Sequence, residues 1–195
     1  MTKVKIAITG GIACGKSVVG QVMATEGIPV CEADEVGHRV LEEPEVRKRI
    51  VAEFGPAVAG TDGRLDRVAL GQLVFAEPSR LGALNALTHP IIMAKIADWV
   101  ERQTTDCVAV IIPLLYEIGA ETDWDTVVCV GSPETDQFQR LADRGLTPTE
   151  AKARIAAQMS LAVKMERADF VIYNCGSKAL LEKQTKQVMR LIRGE

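Results

Sequence analysis

The sequence predicts an α/β protein built on a doubly wound parallel sheet of five strands, with an inserted helical lobe and a small helical lid. Short apolar segments rich in β-branched residues alternate with stretches whose apolar residues recur at helical spacing. Residues 107–112 are apolar throughout, as in parallel strands that are covered on both faces. A glycine-rich loop at 10–17 joins the first strand directly to the first helix, as in the repeating units of such sheets.

The first part of the chain should supply two strands and two helices. A strand over 4–9 precedes the glycine loop, and a helix over 17–26 follows it. A very short strand at 29–31 leads into Glu32-Ala33-Asp34, and the next helix ends before Pro44. Because ligands bind at the carboxyl ends of parallel strands, Asp34 should lie close to a ligand held by the loop after the first strand.

Residues 45–103 should be mostly helical, which is more helix than a simple crossover between strands needs. Thr61-Asp62-Gly63 predicts a turn, and Asp66 is a candidate N-cap for a helix. Pro78 starts another helix, which His89-Pro90 should interrupt because the residue before proline avoids the α region. We expect a second substrate to be held by this inserted lobe.

The second half of the chain repeats the alternation of buried strand and helix. Apolar runs predict strands at 107–112, 125–130 and 170–173. Helices are predicted after the N-cap Ser132, after a capping box that opens at Thr147, and after the N-cap Ser177. The predicted organisation is one domain, with a core of 1–44, 104–136 and 159–195, a lobe of 45–103 and a lid of 137–158.

Composition narrows the possible functions. The 195 residues carry a formal net charge of −3 with both signs interspersed, so no basic stripe for nucleic acid is predicted. No segment approaches eighteen uncharged apolar residues, and the first strand begins too early for a signal peptide. We therefore expect a cytoplasmic protein that uses neither membrane nor nucleic acid. A monomer is the expected state, and an oligomer stays open as the alternative.

The five cysteines show no metal-ligand spacing. Four of them are expected to be inert free thiols in a cytosolic chain. Cys14 differs because it lies in the glycine loop beside a helix N-terminus, a position that lowers thiol pKa. Two interpretations stay open for Cys14: a packing residue and a redox-sensitive thiol.

The loop 10–17 fits the phosphate-binding pattern G-x-x-x-x-G-K-[ST]. Its glycines let backbone N–H groups turn toward an anion, and the helix that follows adds its N-terminal donors. Lys16 can then reach the β- and γ-phosphates, and the Ser17 hydroxyl can ligate Mg²⁺. We predict that the protein binds a nucleoside triphosphate; the alternative is a glycine-rich turn that carries a surface lysine.

Motifs that are absent from the sequence indicate what happens to the γ-phosphate. There is no Asn-Lys-x-Asp guanine motif, no Leu-Ser-Gly-Gly-Gln signature, and no acid after Ile112 at the end of the third strand. Asp34 is the nearest candidate carboxylate, which suits a base that takes a proton from an acceptor hydroxyl. Arg140 or Arg144, on a lid that excludes water, can neutralise the phosphates.

The predicted class is therefore a kinase, with two rivals. One rival is a kinase for another small metabolite, because shikimate kinases also place acids after the second strand. The long insertion at 45–103 favours a larger acceptor. The other rival is a nucleotide-dependent switch that transfers no phosphoryl group.

The motifs together resemble those of the dephospho-CoA kinase family, in the same order and over nearly the whole chain. The matching segments are Thr9-Gly10-Gly11-Ile12 with Gly15-Lys16-Ser17, Glu32-Ala33-Asp34, Asp62-Gly63 with Leu65-Asp66-Arg67, His89-Pro90, Pro113-Leu114-Leu115-Tyr116-Glu117, and 168–174 with Gly176. The resemblance implies transfer of the ATP γ-phosphate to the ribose 3′-hydroxyl of dephospho-CoA, the last step of CoA synthesis. It also implies a P-loop core like that of nucleoside-monophosphate kinases, a small lid and a helical lobe for the coenzyme.

The resemblance also assigns roles to residues of this sequence. The catalytic group would be Asp34 as base, with Lys16 and Arg140. ATP would contact Gly11, Ala13, Cys14, Gly15, Lys16, Ser17, Val18, Arg144, Asn174 and Gly176, the last two at the adenine. The coenzyme side would include Thr9, Asp34, Arg67, His89, Leu114, Tyr116 and Glu117.

This sequence departs from the family pattern at four positions. Ala13, Cys14 and Val18 replace a Gly, a Ser and a Thr of the usual loop. Ala13 is the critical one, because a Cβ restricts positive φ. Glu32 stands where the family commonly has Asp, which is compatible with a contact to Mg²⁺ through water.

Overall fold

The computed structural model describes residues 3–60 and 64–195, so the predicted turn at 61–63 lies outside the described residues. The chain divides into two compact units. The core unit consists of Met1–Glu32 with Gln103–Glu195, and the helical unit consists of Ala33–Arg102. None of the helices formed by the described residues combines the length and the apolar character that a membrane span requires.

The five predicted strands form one parallel sheet in the core unit. They are β1 (Val4–Gly10), β2 (Val30–Glu32), β3 (Cys107–Ile111), β4 (Thr126–Gly131) and β5 (Phe170–Tyr173), in the order β2-β3-β1-β4-β5. The central strand β1 pairs with β3 and β4, so that Ile8 lies beside Ile111 on one side and Val128 on the other. The fold class and the number of strands are confirmed.

The described residues form nine α-helices, whose bounds are α1 (Lys16–Thr25), α2 (Ala33–Glu42), α3 (Pro44–Phe54), α4 (Arg67–Ala76), α5 (Pro78–Arg102), α6 (Glu134–Ala142), α7 (Pro148–Ala156), α8 (Leu161–Arg167) and α9 (Lys178–Arg193). In the core unit, α1 and α9 pack together beneath the sheet through buried side chains that include Val19, Met23, Leu181 and Val188. Their burial, together with that of Ile6 and Ile8, anchors the carboxyl edge of the sheet, where β1 meets the glycine loop.

The predicted break at His89-Pro90 is wrong, because α5 runs unbroken through Pro90. Proline removes one helical hydrogen bond and disfavours the α region for the residue before it. Here α5 packs against α2, α3 and α4, and its Ile96 and Val100 are buried. The burial of this 25-residue helix outweighs the local cost of one proline.

The N-cap predictions have mixed outcomes. Asp66 caps α4 by accepting hydrogen bonds from Val68 N–H at 3.0 Å and Ala69 N–H at 2.9 Å, as predicted. The capping box at Thr147 and the cap at Ser177 are also confirmed. Ser132 is not an N-cap, because α6 starts one residue later than predicted and Pro133 occupies that position.

The segment predicted as a lid, 137–158, extends past the second of its two helices. Helix α7 ends at Ala156, so Gln158 lies beyond it. A separate short helix, α8, then begins after its N-cap Ser160. Helix α8, which the sequence patterns did not predict, packs against β4 and β1.

Strand β5 is an edge strand and is less buried than its apolar sequence suggested. Val171 is 43% exposed and Tyr173 is 39% exposed, whereas Ile172 between them is fully buried against α9. The outer backbone groups of Tyr173 have partners, since its N–H donates to Gln184 Oε1 at 3.0 Å and its carbonyl accepts from Gln184 Nε2 at 3.0 Å.

Candidate active site

The glycine loop connects β1 to α1 at the carboxyl edge of the sheet and contains three residues with positive φ. Gly10 and Gly15 have φ of 136° and 102°, and Ala13 has φ of 58°. A Cβ on Gly10 would lie 2.1 Å from the Val130 carbonyl oxygen, and one on Gly15 would lie 2.7 Å from Asn174 Nδ2. Both positions therefore require glycine, because of backbone conformation and because of space.

Ala13 adopts the left-handed conformation that the sequence analysis identified as a difficulty. It is the only non-glycine residue with positive φ among the described residues. Its methyl group is buried in a small apolar cluster with Leu141 and Ala151, against which Ile12 and Phe138 pack. The side chain of Ala13 therefore gains packing against α6 and α7 that offsets its backbone strain.

Lys16 lies over the glycine loop. Its ammonium group donates hydrogen bonds to the carbonyl oxygens of Gly10 at 3.1 Å and Gly11 at 2.8 Å. Ser17 and Val18 follow in the first turn of α1, and Ser17 is exposed. The first turn of α1 also presents N–H groups and the positive end of the helix dipole, which favour a bound anion.

Arg140 of α6 is the second cation at the loop. One guanidinium nitrogen donates to the Ala13 carbonyl and to Ser132 Oγ, both at 3.0 Å, and the other donates to Asp136 at 3.3 Å. The structure therefore brings Arg140 to the loop, and its contact with a phosphate stays a prediction. Arg144 is exposed in the turn after α6, and its phosphate contact stays a prediction.

Asn174 follows β5 and supports the loop from the other side. Its side-chain nitrogen donates to the Cys14 carbonyl at 3.0 Å, and the residue is 9% exposed. Gly176 lies two residues further on and is exposed. The predicted adenine contacts of Asn174 and Gly176 stay predictions, while the contact of Asn174 with the loop is an additional role.

The expectation that the loop lowers the pKa of Cys14 is wrong. The Cys14 side chain is fully buried, and this burial raises its pKa, although Lys16 and Arg140 act in the opposite direction. A buried thiol with a raised pKa is a poor nucleophile, which favours the interpretation of Cys14 as a packing residue.

The two acids after the second strand lie at its carboxyl end. Glu32 is the last residue of β2, where it pairs with Ile111. Asp34 is the second residue of α2 and is exposed, so it lies inside the first helical turn rather than at the N-cap. An exposed carboxylate in this position is available to accept a proton.

Two residues predicted for the coenzyme side point into the protein instead. Thr9 is fully buried and its hydroxyl donates to the Pro113 carbonyl at 3.3 Å. Tyr116 is 6% exposed, and the guanidinium of Arg167 covers its ring at 4.4 Å from the centroid. Burial also raises the pKa of Tyr116 to about 12. Neither side chain offers a surface to a substrate in this structure, whereas Leu114 is 41% exposed.

Glu117 is held by a residue that the sequence analysis did not identify. Its Oε1 accepts from Lys164 Nζ at 2.7 Å and from the Met159 N–H at 2.9 Å. Lys164, on α8, is fully buried and also donates to the Pro113 carbonyl at 2.8 Å. Its position in the sequence could have indicated this burial. Lys164 lies three residues after Leu161, so the two side chains share one face of α8.

The remaining coenzyme-side residues belong to the helical unit. Arg67 donates to Glu42 at 2.8 Å and to the His38 carbonyl at 3.3 Å, and it borders a cavity of about 780 Å³. His89 is half-buried in α5, and this burial lowers its pKa, which keeps the imidazole neutral near pH 7. Both substrate contacts stay predictions.

The protein ligands for a magnesium ion would be few. Among the described residues, no three His, Cys, Asp or Glu side chains converge on a point that could hold a metal. Mg²⁺ in nucleotide sites is commonly held by one or two protein oxygens together with phosphate oxygens and water. The exposed hydroxyl of Ser17 beside the phosphate loop fits this donor set.

Sequence comparisons relate this chain to dephospho-CoA kinases. A family model described as dephospho-CoA kinase matches residues 4–179. A dephospho-CoA kinase of Symbiobacterium thermophilum is 44% identical over 190 residues, which cover 95% of this chain and 80% of that protein.

Two solved structures resemble this chain over almost its whole length. The crystal structure of a Thermus thermophilus protein has a TM-score of 0.88 at 35% identity, covering 98% of this chain and 99% of that one. The dephospho-CoA kinase from Campylobacter jejuni has a TM-score of 0.74 at 29% identity, covering 98% of both chains. With its phosphate loop, its five-stranded parallel sheet and these similarities, the chain belongs to the dephospho-CoA kinase family.

Proposed function

We propose that this protein transfers the γ-phosphoryl group of ATP to the ribose 3′-hydroxyl of dephospho-CoA, giving CoA and ADP, with Mg²⁺ as the metal. The observation that carries the proposal is the pair of cations at the glycine loop. Lys16 rests on the carbonyls of Gly10 and Gly11, and Arg140 reaches the carbonyl of Ala13. Charge on the transferring phosphoryl group is what such cations stabilise in phosphoryl transfer.

In the proposed mechanism, backbone N–H groups of the loop and of the first turn of α1 bind the triphosphate. Lys16 and Arg140 neutralise its charge, and Asn174 keeps the loop in place through the Cys14 carbonyl. Asp34 accepts the proton of the acceptor hydroxyl as that oxygen attacks the γ-phosphorus in line, and the bond to the β–γ bridging oxygen breaks to release ADP.

We propose Ser17 as the protein ligand of Mg²⁺, with Glu32 contacting the ion through water. The bound ion would neutralise charge on the β- and γ-phosphates. We further propose that the protein acts in the cytoplasm on a small-molecule partner, as a monomer, without a nucleic-acid partner. Its net charge of −3 supports the last point.

The acceptor is tested by measuring ADP release with four candidate acceptors: dephospho-CoA, shikimate, gluconate and AMP. We expect dephospho-CoA to stimulate ADP release well above the rate seen with ATP alone. Stimulation by shikimate or gluconate instead would indicate the rival metabolite kinase, and no stimulation by dephospho-CoA would remove the proposal.

The role of Asp34 is tested by Asp34→Asn, with Glu35→Gln on the same helix as the matched control. Both side chains are exposed in the first turn of α2. Asp34→Asn should keep ATP affinity and lower kcat by about 100-fold, the lower range of a general-base contribution, whereas Glu35→Gln should leave kcat unchanged. Turnover of Asp34→Asn at the wild-type rate would exclude Asp34 as the base.

A further inference from the structure

The peptide group between Gly11 and Ile12 has a partner on each side. Its carbonyl oxygen accepts from Lys16 Nζ at 2.8 Å, and its N–H donates to Gln158 Oε1 at 3.1 Å. In a trans peptide the C=O and N–H bonds point in opposite directions, and no cis peptide occurs among the described residues. Gln158 and Lys16 therefore hold the same peptide plane from opposite sides.

Within the loop, that plane is held by one long backbone hydrogen bond, from the Cys14 N–H to the Gly11 carbonyl at 3.3 Å. Gly11 is conformationally permissive, so the ψ angle that turns the plane is weakly restricted. If the plane turned over, its carbonyl would leave Lys16 and its N–H would face the ammonium, which is an unfavourable contact between two donors. The hydrogen bond from Ile12 to Gln158 adds a second and shorter restriction, at 3.1 Å, from outside the loop.

Gln158 is presented from a backbone that is itself anchored. The next residue, Met159, donates its N–H to Glu117 at 2.9 Å, and Glu117 is paired with the fully buried Lys164 at 2.7 Å. Lys164 also donates to the Pro113 carbonyl at 2.8 Å, in the segment that leaves β3. The connection between α7 and α8 is thus fixed to the carboxyl edge of the sheet.

From these contacts we propose that Gln158 is a positioning residue for Lys16, acting through the orientation of the Gly11–Ile12 peptide group. Lys16 has a flexible four-carbon stem and three rotatable donors, so its direction depends on the acceptors around it. Two of those acceptors are the carbonyls of Gly10 and Gly11, and Gln158 keeps the second in place. Lys16 is thereby pre-oriented for the β- and γ-phosphates, an inference that rests on the ATP-binding part of the proposed function.

The test compares Gln158→Met, which keeps the side-chain length and removes the acceptor, with Gln139→Met as the control. Gln139 lies exposed on α6, where its amide nitrogen donates to Asp143 Oδ1 at 2.9 Å. Calorimetric titration gives the affinity of each protein for ATP and for AMP. We expect Gln158→Met to weaken ATP binding about three- to tenfold, the effect of one hydrogen bond, and to leave AMP binding unchanged because AMP lacks the phosphates that Lys16 reaches.

The selectivity between the two nucleotides separates positioning from a general structural role. Equal weakening of ATP and AMP binding, or no weakening of either, would overturn the inference. Failure of the wild-type protein to bind ATP would instead count against the proposed function. Should Gln158→Met not fold, Gln158→Asn withdraws the acceptor by one methylene while keeping the amide, and the same outcomes decide.

Discussion

The buried ion pair between Lys164 and Glu117 predicts an asymmetric response to mutation. The two charges are 2.7 Å apart, but the Lys164 side chain is 0% exposed whereas that of Glu117 is 21% exposed. Only the carboxylate can recover hydration when its partner is lost. Glu117→Leu leaves the Lys164 ammonium buried without its carboxylate partner, whereas Lys164→Met leaves the Glu117 carboxylate in contact with water. Glu117→Leu should therefore destabilise the protein far more than Lys164→Met.

The magnitudes follow from the environment of each group. Glu117→Leu breaks a buried pair and leaves the ammonium with the Pro113 carbonyl, which should cost about 3–5 kcal/mol. For a chain of 195 residues this corresponds to a fall in Tm of about 6–20 °C. Lys164→Met loses charged hydrogen bonds but also removes the desolvation cost of the ammonium, so we expect a net loss of about 1 kcal/mol.

Urea unfolding of both single variants and the double variant measures these effects. Because the double variant contains no buried unpaired charge, it should be more stable than Glu117→Leu alone. Glu45→Gln is the control, since its pair with Lys48 has side chains that are 81% and 72% exposed and should contribute little. The reasoning is wrong if Lys164→Met is at least as destabilising as Glu117→Leu.

Three further predictions concern Ala13, Asp66 and Cys14. Ala13→Gly relieves about 1–2 kcal/mol of left-handed strain but loses about 0.8 kcal/mol of methyl burial and about 0.4–1 kcal/mol to unfolded-state entropy. The free energy of unfolding, measured by thermal unfolding, should therefore change by less than about 0.8 kcal/mol, and a loss above about 2 kcal/mol would contradict this. Asp66→Ala removes the N-cap of α4 and should lower the free energy of unfolding by about 1 kcal/mol in urea, and no change would argue against the cap. When the protein is alkylated and analysed by mass spectrometry, the exposed Cys175 should react before Cys14, because burial raises the pKa of Cys14. Labelling of Cys14 before Cys175 would contradict its interpretation as a packing residue.

The sequence predicted the parts of the fold that depend on local patterns. The strand, loop and helix around Lys16 follow from apolar spacing and glycines, and so do the N-caps at Asp66 and Ser177. The continuous helix through Pro90 was not predictable in this way, because packing of α5 against three other helices decides it. The preferences of proline and its neighbours give the free-energy cost of Pro90 inside a helix, but they do not give the burial of α5 that outweighs this cost.

In the candidate site too, features with a local sequence signal were predicted, and features that depend on distant contacts were not. Arg140 was expected at the phosphates from its place on the predicted lid, and it does reach the loop. The inward direction of Thr9 and Tyr116, and the buried charge of Lys164, depend on which residues meet across α8 and the segment after β3. Those contacts join positions far apart in the chain, so neither periodicity nor motif spacing records them.

The contact of Gln184 with Tyr173 has a consequence for the growth of the sheet. An open edge strand offers unpaired N–H and C=O groups that can recruit a strand from another chain. At Tyr173 the primary amide of Gln184 presents one acceptor and one donor, each 3.0 Å from its backbone partner, and so imitates the peptide group of a sixth strand. An incoming strand would have to displace this side chain before it could pair with Tyr173. A single glutamine therefore blocks further strand pairing at this position.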